Sequence, residues 1–327
     1  MFLYRVFSKV LANRLKFFLP HIISEHQSAF MTERLISDNI MVTFETLHYM
    51  RNDSAGTAGY MALKLDMSKA YDKVEQLYMR KVMEKMGFAE PWIKLMMECI
   101  TTAIYSVLIN GEPHRDITPA RGLRQGDLLS PYLFLLCTEG FHGLLKKAET
   151  MGEIRGVSIC KRGHQLTHLL FADDSLIFCG ANDNECQKLL EILATYERAL
   201  GQQINRSKTT LFFSKSTSQA MQDSIKVALG VQVVQQYEKY LGLPSFIGRG
   251  KKASFDNIKQ RVWKKLQGWE GKLLSQADRE ILIKAVAQAL PTYTMSCFKL
   301  LTGLCHEIEG LIRKIFWGQR GDSRKIH

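Results

Sequence analysis

Asp173 and Asp174 stand side by side between two apolar runs, Leu169-Leu170-Phe171-Ala172 before them and Ser175-Leu176-Ile177-Phe178 after. The pattern reads as a buried β-hairpin with both acids at its turn. Burying carboxylates costs several kcal/mol unless a cation or hydrogen-bond donors compensate, and a bound metal is the simplest compensation. A third acid, Asp66, ends another strand-like run, Tyr60-Met61-Ala62-Leu63-Lys64-Leu65. Three carboxylates on neighbouring strand ends can hold two Mg²⁺ ions about 4 Å apart, the arrangement for in-line phosphoryl transfer. Taken alone, the Asp-Asp pair also fits a solvated, Asx-rich hairpin turn. The apolar flanks and the upstream Asp66 weigh toward the metal reading.

Periodicity outlines the elements that must position these acids. Val6, Val10, Leu11 and Leu15 recur at helical spacing over residues 6–19, with Lys9, Arg14 and Lys16 off the stripe, and Pro20 is expected to stop the helix. A second helix is predicted over 38–51, then a polar loop over 52–59 and the strand ending at Asp66. Helices follow near 75–86 and 91–101. Tyr105–Ile109 runs into Asn110-Gly111, a strong two-residue hairpin signal. An irregular loop over 119–130 precedes Pro131, well placed for the first turn of a helix reaching about 148. Residues 154–160 read as a strand. The clearest helix spans 184–200, with Leu189, Leu190, Leu193, Tyr196 and Leu200 on its stripe and Gly201 at its C-cap. A strand over 209–213 and a helix over 218–229 come next. From about 251 the chain is helical and basic, and Trp263 and Trp269 lie among Lys259, Arg261, Lys264, Lys265 and Lys272. Phe255, Ile258, Val262 and Leu266 form its apolar stripe. Mixed strands and helices followed by a helical tail give an α+β chain.

Composition narrows the partners. The 327 residues carry 44 basic and 32 acidic side chains, a net charge of +12, which favours a polyanionic partner. Seven scattered cysteines include no CxxC pair, so neither a disulfide scaffold nor a cysteine zinc site follows. No run approaches the roughly 20 apolar residues of a membrane span, and no secretory signal is evident. The expectation is a soluble, intracellular protein without a membrane partner. Its oligomeric state leaves no mark on the sequence.

Longer motifs carry a resemblance. Ser8-Lys9-Val10-Leu11-Ala12-Asn13-Arg14-Leu15, Gln27-Ser28-Ala29-Phe30, Lys64-Leu65-Asp66-Met67-Ser68-Lys69-Ala70-Tyr71-Asp72 and Arg121-Gly122-Leu123-Arg124-Gln125-Gly126-Asp127 occur in this order. Leu129-Ser130-Pro131-Tyr132-Leu133-Phe134, Phe171-Ala172-Asp173-Asp174 and Lys239-Tyr240-Leu241-Gly242-Leu243-Pro244 follow. Nearly the whole chain thus resembles the reverse transcriptase of non-LTR (LINE-type) retrotransposons, in its plant form. The resemblance implies a right-hand polymerase with an antiparallel palm sheet, partial fingers and a helical thumb. It places partial fingers at 1–59, the palm with the remaining fingers segments at 60–248, and a basic thumb or connection at 249–327.

The implied roles follow position by position. Asp66, Asp173 and Asp174 are the catalytic and metal-binding acids, and Met67 adds a backbone carbonyl. The implied cofactor is a pair of Mg²⁺ ions, with Mn²⁺ as a substitute, and the implied partners are an RNA template, a DNA primer and dNTPs. Tyr71 resembles the steric gate against a ribose 2′-hydroxyl. Arg121, Arg124, Gln125, Gly126 and Lys208 resemble the nucleotide- and template-binding set, and Ala172, Leu241 and Gly242 the primer-binding one. The implied place of work is the nucleus or a cytoplasmic ribonucleoprotein.

Departures from the family pattern temper this. Glu33 stands where glycine is usual, and Leu128 where proline is usual. The chain begins after the point where the family has an arginine-bearing fingers strand, and it ends near where a zinc-binding region often follows. A truncated copy is therefore expected. The alternative to an active polymerase is a catalytically inactive, nucleic-acid-binding remnant.

Overall fold

The computed structural model describes residues 2–52, 59–160, 163–235, 239–247, 251–270 and 274–317. The chain divides into two compact units, Met1–Gln236 and Tyr237–His327. The lobe boundary read from sequence, near 249, lies outside the described residues, as do most of the loop over 52–59 and Lys272.

The first unit is organised around β1 (Tyr60–Leu65), the middle strand of a five-stranded sheet of order β4-β5-β1-β6-β7. β4 (His168–Phe171) and β5 (Asp174–Gly180) form an antiparallel hairpin, and β1 runs antiparallel to both β5 and β6 (Thr210–Phe213). The short β7 (Gln232–Val233) adds a parallel edge. Leu63 and Leu65 point from β1 into the core, alongside Leu189 and Leu193 of α6 (Asp183–Leu200). α6 is closed by two signals legible in the sequence. The Asn182 side chain accepts from the Glu185 N–H, and Gly201 takes the left-handed conformation at φ 74°.

Around the sheet lie α1 (Phe2–Ile22), α2 (Ile36–Asn52), α3 (Gln76–Lys85), α4 (Glu90–Thr101), α5 (Ser130–Thr150) and α7 (Gln219–Leu229). Asn110 and Gly111, both at positive φ, join β2 (Tyr105–Ile109) and β3 (Glu112–Ile117) in the expected hairpin. Three expectations need correction. α1 continues past Pro20 to Ile22, because a proline in the last turn forfeits only one intrahelical bond. Its buried face is Ser8, Leu11, Ala12, Leu15 and Leu19, and Val6 and Val10 are exposed. The strand expected over 154–160 reduces to a single bridge, Val157 to Leu166.

Glu33 explains why glycine is usual at its position. Its φ of 68° lies in the left-handed region, which costs a residue with a Cβ about 1–2 kcal/mol. Next to it, Arg34 fans its guanidinium over the carbonyls of Ile23, Ser24 and Gln27. Glu33→Gly is expected to stabilise the protein by about 0.5–1 kcal/mol after glycine's own entropic cost. A thermal melt checks this, and a lowered melting temperature would contradict it.

The second unit opens with β8 (Lys239–Tyr240) and β9 (Leu243–Pro244), an antiparallel pair closed by Leu241 and Gly242. Helices α8 (Lys251–Glu270), α9 (Gln276–Leu282), α10 (Ala289–Met295) and α11 (Thr302–Phe316) follow, with a π-helical turn at Ile283–Ala287 between α9 and α10. Phe255, Ile258, Val262 and Leu266 are all buried, as the stripe predicts. Arg261, Lys264 and Lys265 are exposed, and Lys259 pairs with Glu307 at 2.5 Å. Trp263 sits exposed among these bases. Among the described residues no helix is long and apolar enough to cross a membrane.

Candidate active site

Strand register brings the three acids to one end of the sheet. Leu65 pairs with Ser175, so the next step of the same ladder sets Asp66 opposite Asp174. Asp173 occupies the two-residue turn between β4 and β5, and Asp174 is the first residue of β5. The expectation of two buried acids is half right: Asp174 is half-buried and Asp173 is exposed. An acid at the tip of a tight turn cannot be covered by its own hairpin. Burial pushes the Asp174 carboxyl above the ordinary aspartate range, and the negative charges of Asp173 and Asp66 push the same way, with Lys64 opposing them.

Backbone contacts fix Asp66. Its N–H donates to Thr209 Oγ1 at 3.2 Å, and its carbonyl accepts from the Asn205 N–H at 2.8 Å. The Ser68 N–H donates to the Gln203 carbonyl at 3.0 Å. These two bonds flank the Met67–Ile204 bridge and leave the Met67 carbonyl out of that ladder, on the side away from Ile204. The Met67 side chain packs against the core. Lys208 is exposed in the turn just before Thr209.

Tyr71 is half-buried, its ring stacked on Phe134 at 4.6 Å between centroids. Its hydroxyl pKa is pushed up to about 12, first by burial and then by the charge of Asp173. The loop over 121–127 is sewn to this segment. The Gly122 N–H donates to the Val74 carbonyl and the Leu123 N–H to the Tyr71 carbonyl, both at 2.8 Å. Gly122 has φ 91°, and a Cβ there would lie 2.7 Å from the Asp72 carbonyl oxygen, so only glycine fits. Gln125 Nε2 donates to Asp72 Oδ1 at 3.1 Å. Arg121, Arg124, Gln125 and Gly126 are all exposed, and the Arg124 guanidinium lies 6.0 Å above the Tyr4 ring. Tyr4 in turn hydrogen-bonds Asp127.

Two of the expected site residues sit in strained turns. Ala172, before Asp173, has φ 54°, and Leu241 has φ 47° beside Gly242 at 81°. Left-handed non-glycine residues persist only where their surroundings enforce them. For Leu241 the enforcement includes Tyr293, whose hydroxyl donates to the Leu241 carbonyl at 2.7 Å.

For Ala172 it is Gln27, to which the sequence reading gave no role. Gln27 is fully buried, and its Oε1 accepts from both the Ala172 and the Ala29 N–H groups at 3.0 Å. Asn39 Nδ2 donates to the Leu170 carbonyl at 3.1 Å, and Asn39 Oδ1 accepts from Ser28 Oγ at 2.8 Å. The available signal was the polar pair Gln27-Ser28 at the head of one motif, with Asn39 further along the chain.

A mostly antiparallel sheet with three carboxylates at one end and helices packed on it is the arrangement of a palm-type polymerase. The sequence model of the reverse transcriptase (RNA-dependent DNA polymerase) family matches residues 1–244, and the chain belongs to that family. A Xenopus laevis relative, the transposon TX1 uncharacterized 149 kDa protein, is 24% identical over 96% of this chain and 23% of its own length. The retrovirus-related Pol polyprotein from type-1 retrotransposable element R2 of Popillia japonica is 26% identical over 63% of this chain and 28% of its own. These bear out the resemblance to a non-LTR retrotransposon reverse transcriptase. The chain spans about a quarter of the length of either relative. Apo telomerase from Candida tropicalis superposes with a TM-score of 0.50 at 13% identity, covering 96% of this chain and 55% of that one. The likeness supports the right-hand polymerase fold.

Reverse transcriptases generally use divalent metal ions. The donor set fits: three carboxylates whose mutual repulsion a cation relieves, and hard oxygen ligands of the kind Mg²⁺ selects.

Proposed function

We propose that this chain is an RNA-directed DNA polymerase core that extends a DNA primer on an RNA template. The observation that carries this reading is the register that sets Asp66 opposite Asp174 with Asp173 in the adjoining turn. Asp66, Asp173, Asp174 and the Met67 carbonyl would hold two Mg²⁺ ions, with Mn²⁺ able to replace them. Such ions, when bound, activate the primer 3′-hydroxyl and neutralise the pyrophosphate leaving group.

The remaining roles belong to the chain's own groups. Gln27 holds the Ala172 N–H, which keeps the Asp173 turn in its strained form beside the primer end. Gln125 and Gly126 meet the incoming dNTP and template, with Arg121 and Arg124 on phosphate and Lys208 toward the pyrophosphate. Leu241-Gly242 grips the primer. Exposed Arg261, Lys264 and Lys265 would meet nucleic-acid phosphates without regard to sequence. Residues 1–59 would then be fingers, 60–248 palm and 249–327 thumb, and the work would be done in the nucleus or in a cytoplasmic ribonucleoprotein.

Primer extension on poly(rA)–oligo(dT) with Mg²⁺ tests the reading against Asp173→Asn/Asp174→Asn. Extension by the wild type alone supports it. No extension by either protein, with salt-sensitive primer–template binding intact in both, would establish the inactive remnant instead.

Tyr71 gives a second, independent check. Its ring would exclude a ribose 2′-hydroxyl by bulk, so Tyr71→Ala should lower the dNTP-over-rNTP ratio of kcat/KM on the order of 10–100-fold. Tyr71→Phe should leave that ratio near the wild-type value. An unchanged ratio in Tyr71→Ala would reduce Tyr71 to a packing residue on Phe134.

A further inference from the structure

On the other side of the Gln27 loop, three histidines from three separate segments converge. His26 precedes Gln27, His142 lies on α5 and His168 heads β4. One ring nitrogen of each lies within 4.8 Å of the other two. His168 is fully buried and stacks on His26 at 4.3 Å between centroids. Burial holds all three below the ordinary histidine range, so they are neutral at pH 7, the form that binds metals.

The hydrogen bonds orient them. Thr167 Oγ1 donates to Glu149 Oε2 at 3.0 Å, which leaves it to accept from His168 Nδ1 at 2.9 Å. His168 is thereby assigned as the Nδ1–H tautomer, with its lone pair on Nε2. That lone pair meets His142 Nδ1 at 2.8 Å. His26 keeps a buried Nδ1 with no hydrogen-bond partner. A carboxylate and a hydroxyl ranked behind one imidazole, whose other nitrogen faces two more, is the outer-shell arrangement that orients a metal-bound histidine.

We propose that His26, His142 and His168 form a site for a borderline transition-metal dication, Zn²⁺ foremost, separate from the carboxylate site. Three imidazoles suit Zn²⁺ and Co²⁺ and are poor ligands for Mg²⁺. Tetrahedral Zn–N bonds of about 2.0–2.1 Å set ligand nitrogens about 3.3 Å apart. The His142–His168 pair therefore opens by about half an ångström from its hydrogen bond. His142 moves its proton from Nδ1 to Nε2, so binding releases no net proton. His26 also lines a cavity of about 540 Å³, together with Glu25, Lys146, Glu149 and Cys160, from which a water could supply a fourth ligand. Glu25 and Glu149 favour the cation, and Lys146 and Arg34 oppose it. The ion would fasten the Gln27 loop, α5 and β4 to one another, and so stiffen the hairpin that carries Asp173.

The test is titration of the metal-stripped full chain with Zn²⁺ and Co²⁺, read by stoichiometry, melting temperature and visible absorption. One ion per chain is expected at micromolar affinity or tighter, on the order expected of structural sites. The melting temperature should rise, and the Co²⁺ spectrum should be tetrahedral without a thiolate charge-transfer band. His142→Ala and His26→Gln should each weaken binding at least about 100-fold, and Asp173→Asn/Asp174→Asn should not. Either histidine variant suffices if the other fails to fold. Unchanged binding in the histidine variants, a thiolate band from a cysteine ligand, or only millimolar affinity would overturn the proposal.

Discussion

Asp174→Asn should raise the melting temperature of the metal-free protein and, in the same molecule, abolish nucleotide incorporation. The two effects share one cause. Asp174 is half-buried beside Asp66 and Asp173, and its carboxyl is held above the ordinary range by burial and by their charges. A folded-state pKa raised above the unfolded value favours the protonated form. Its stability contribution is therefore fully present below the ordinary value of 3.8 and is lost as pH rises through the raised folded one. At neutral pH the metal-free site is thus destabilising, and a neutral amide removes that penalty. A gain of about 2 °C or more is expected, together with a flatter dependence of stability on pH above 3.8. Incorporation should fall about 10³-fold or more, since several kcal/mol of charge stabilisation depends on the metal's ligands. Differential scanning calorimetry beside single-nucleotide incorporation reads both. A variant that loses stability as well as activity would point to a structural role.

Gln27→Ala should cost more stability than its size suggests. One amide oxygen satisfies two N–H groups, those of Ala29 and Ala172, inside a fully buried position. Truncation orphans both, at about 1–3 kcal/mol each. Ala172 is then no longer held at φ 54°, and the turn carrying Asp173 relaxes. Misplacement of a metal ligand by about 1 Å is enough for a loss on the order of 10²-fold in kcat. Because Gln27 touches no reacting group, its role is positioning. Gln27→Glu, which keeps the acceptor oxygens, should recover the turn better than Gln27→Ala. The split is measured by kcat against KM for dNTP: the account predicts that kcat falls and KM changes little. A fall confined to KM would contradict it.

The acids were the most legible part of this chain because their signal is local. Apolar runs around Asp173-Asp174 and before Asp66 mark strand ends, and Asn110-Gly111 and Gly201 mark their turn and cap by backbone chemistry alone. What escaped the reading depends on contacts distant in sequence. Gln27 meets Ala172 across 145 residues, and no periodicity announces a side chain that satisfies a remote turn. The burial of Leu11 rather than Val10 depends on which face of α1 meets the core, and a stripe with apolar residues on both sides of that face leaves this open. The segment over 154–160 has strand composition but pairs at only one bridge, and a strand is defined by its partner rather than by its own residues. Glu33 shows the reverse case, in which a departure from a motif became intelligible only once its φ of 68° was known.

The most direct test of the central claim is single-nucleotide incorporation on an RNA template as a function of free Mg²⁺, with dNTP held saturating, for the wild type and for Asp173→Asn. The account predicts metal-dependent incorporation of the complementary dNTP by the wild type, rising more steeply than first order in Mg²⁺ as two ions require, and none by the variant. Incorporation that persists in Asp173→Asn, or that is absent from the wild type at every Mg²⁺ concentration while primer–template remains bound, would contradict it.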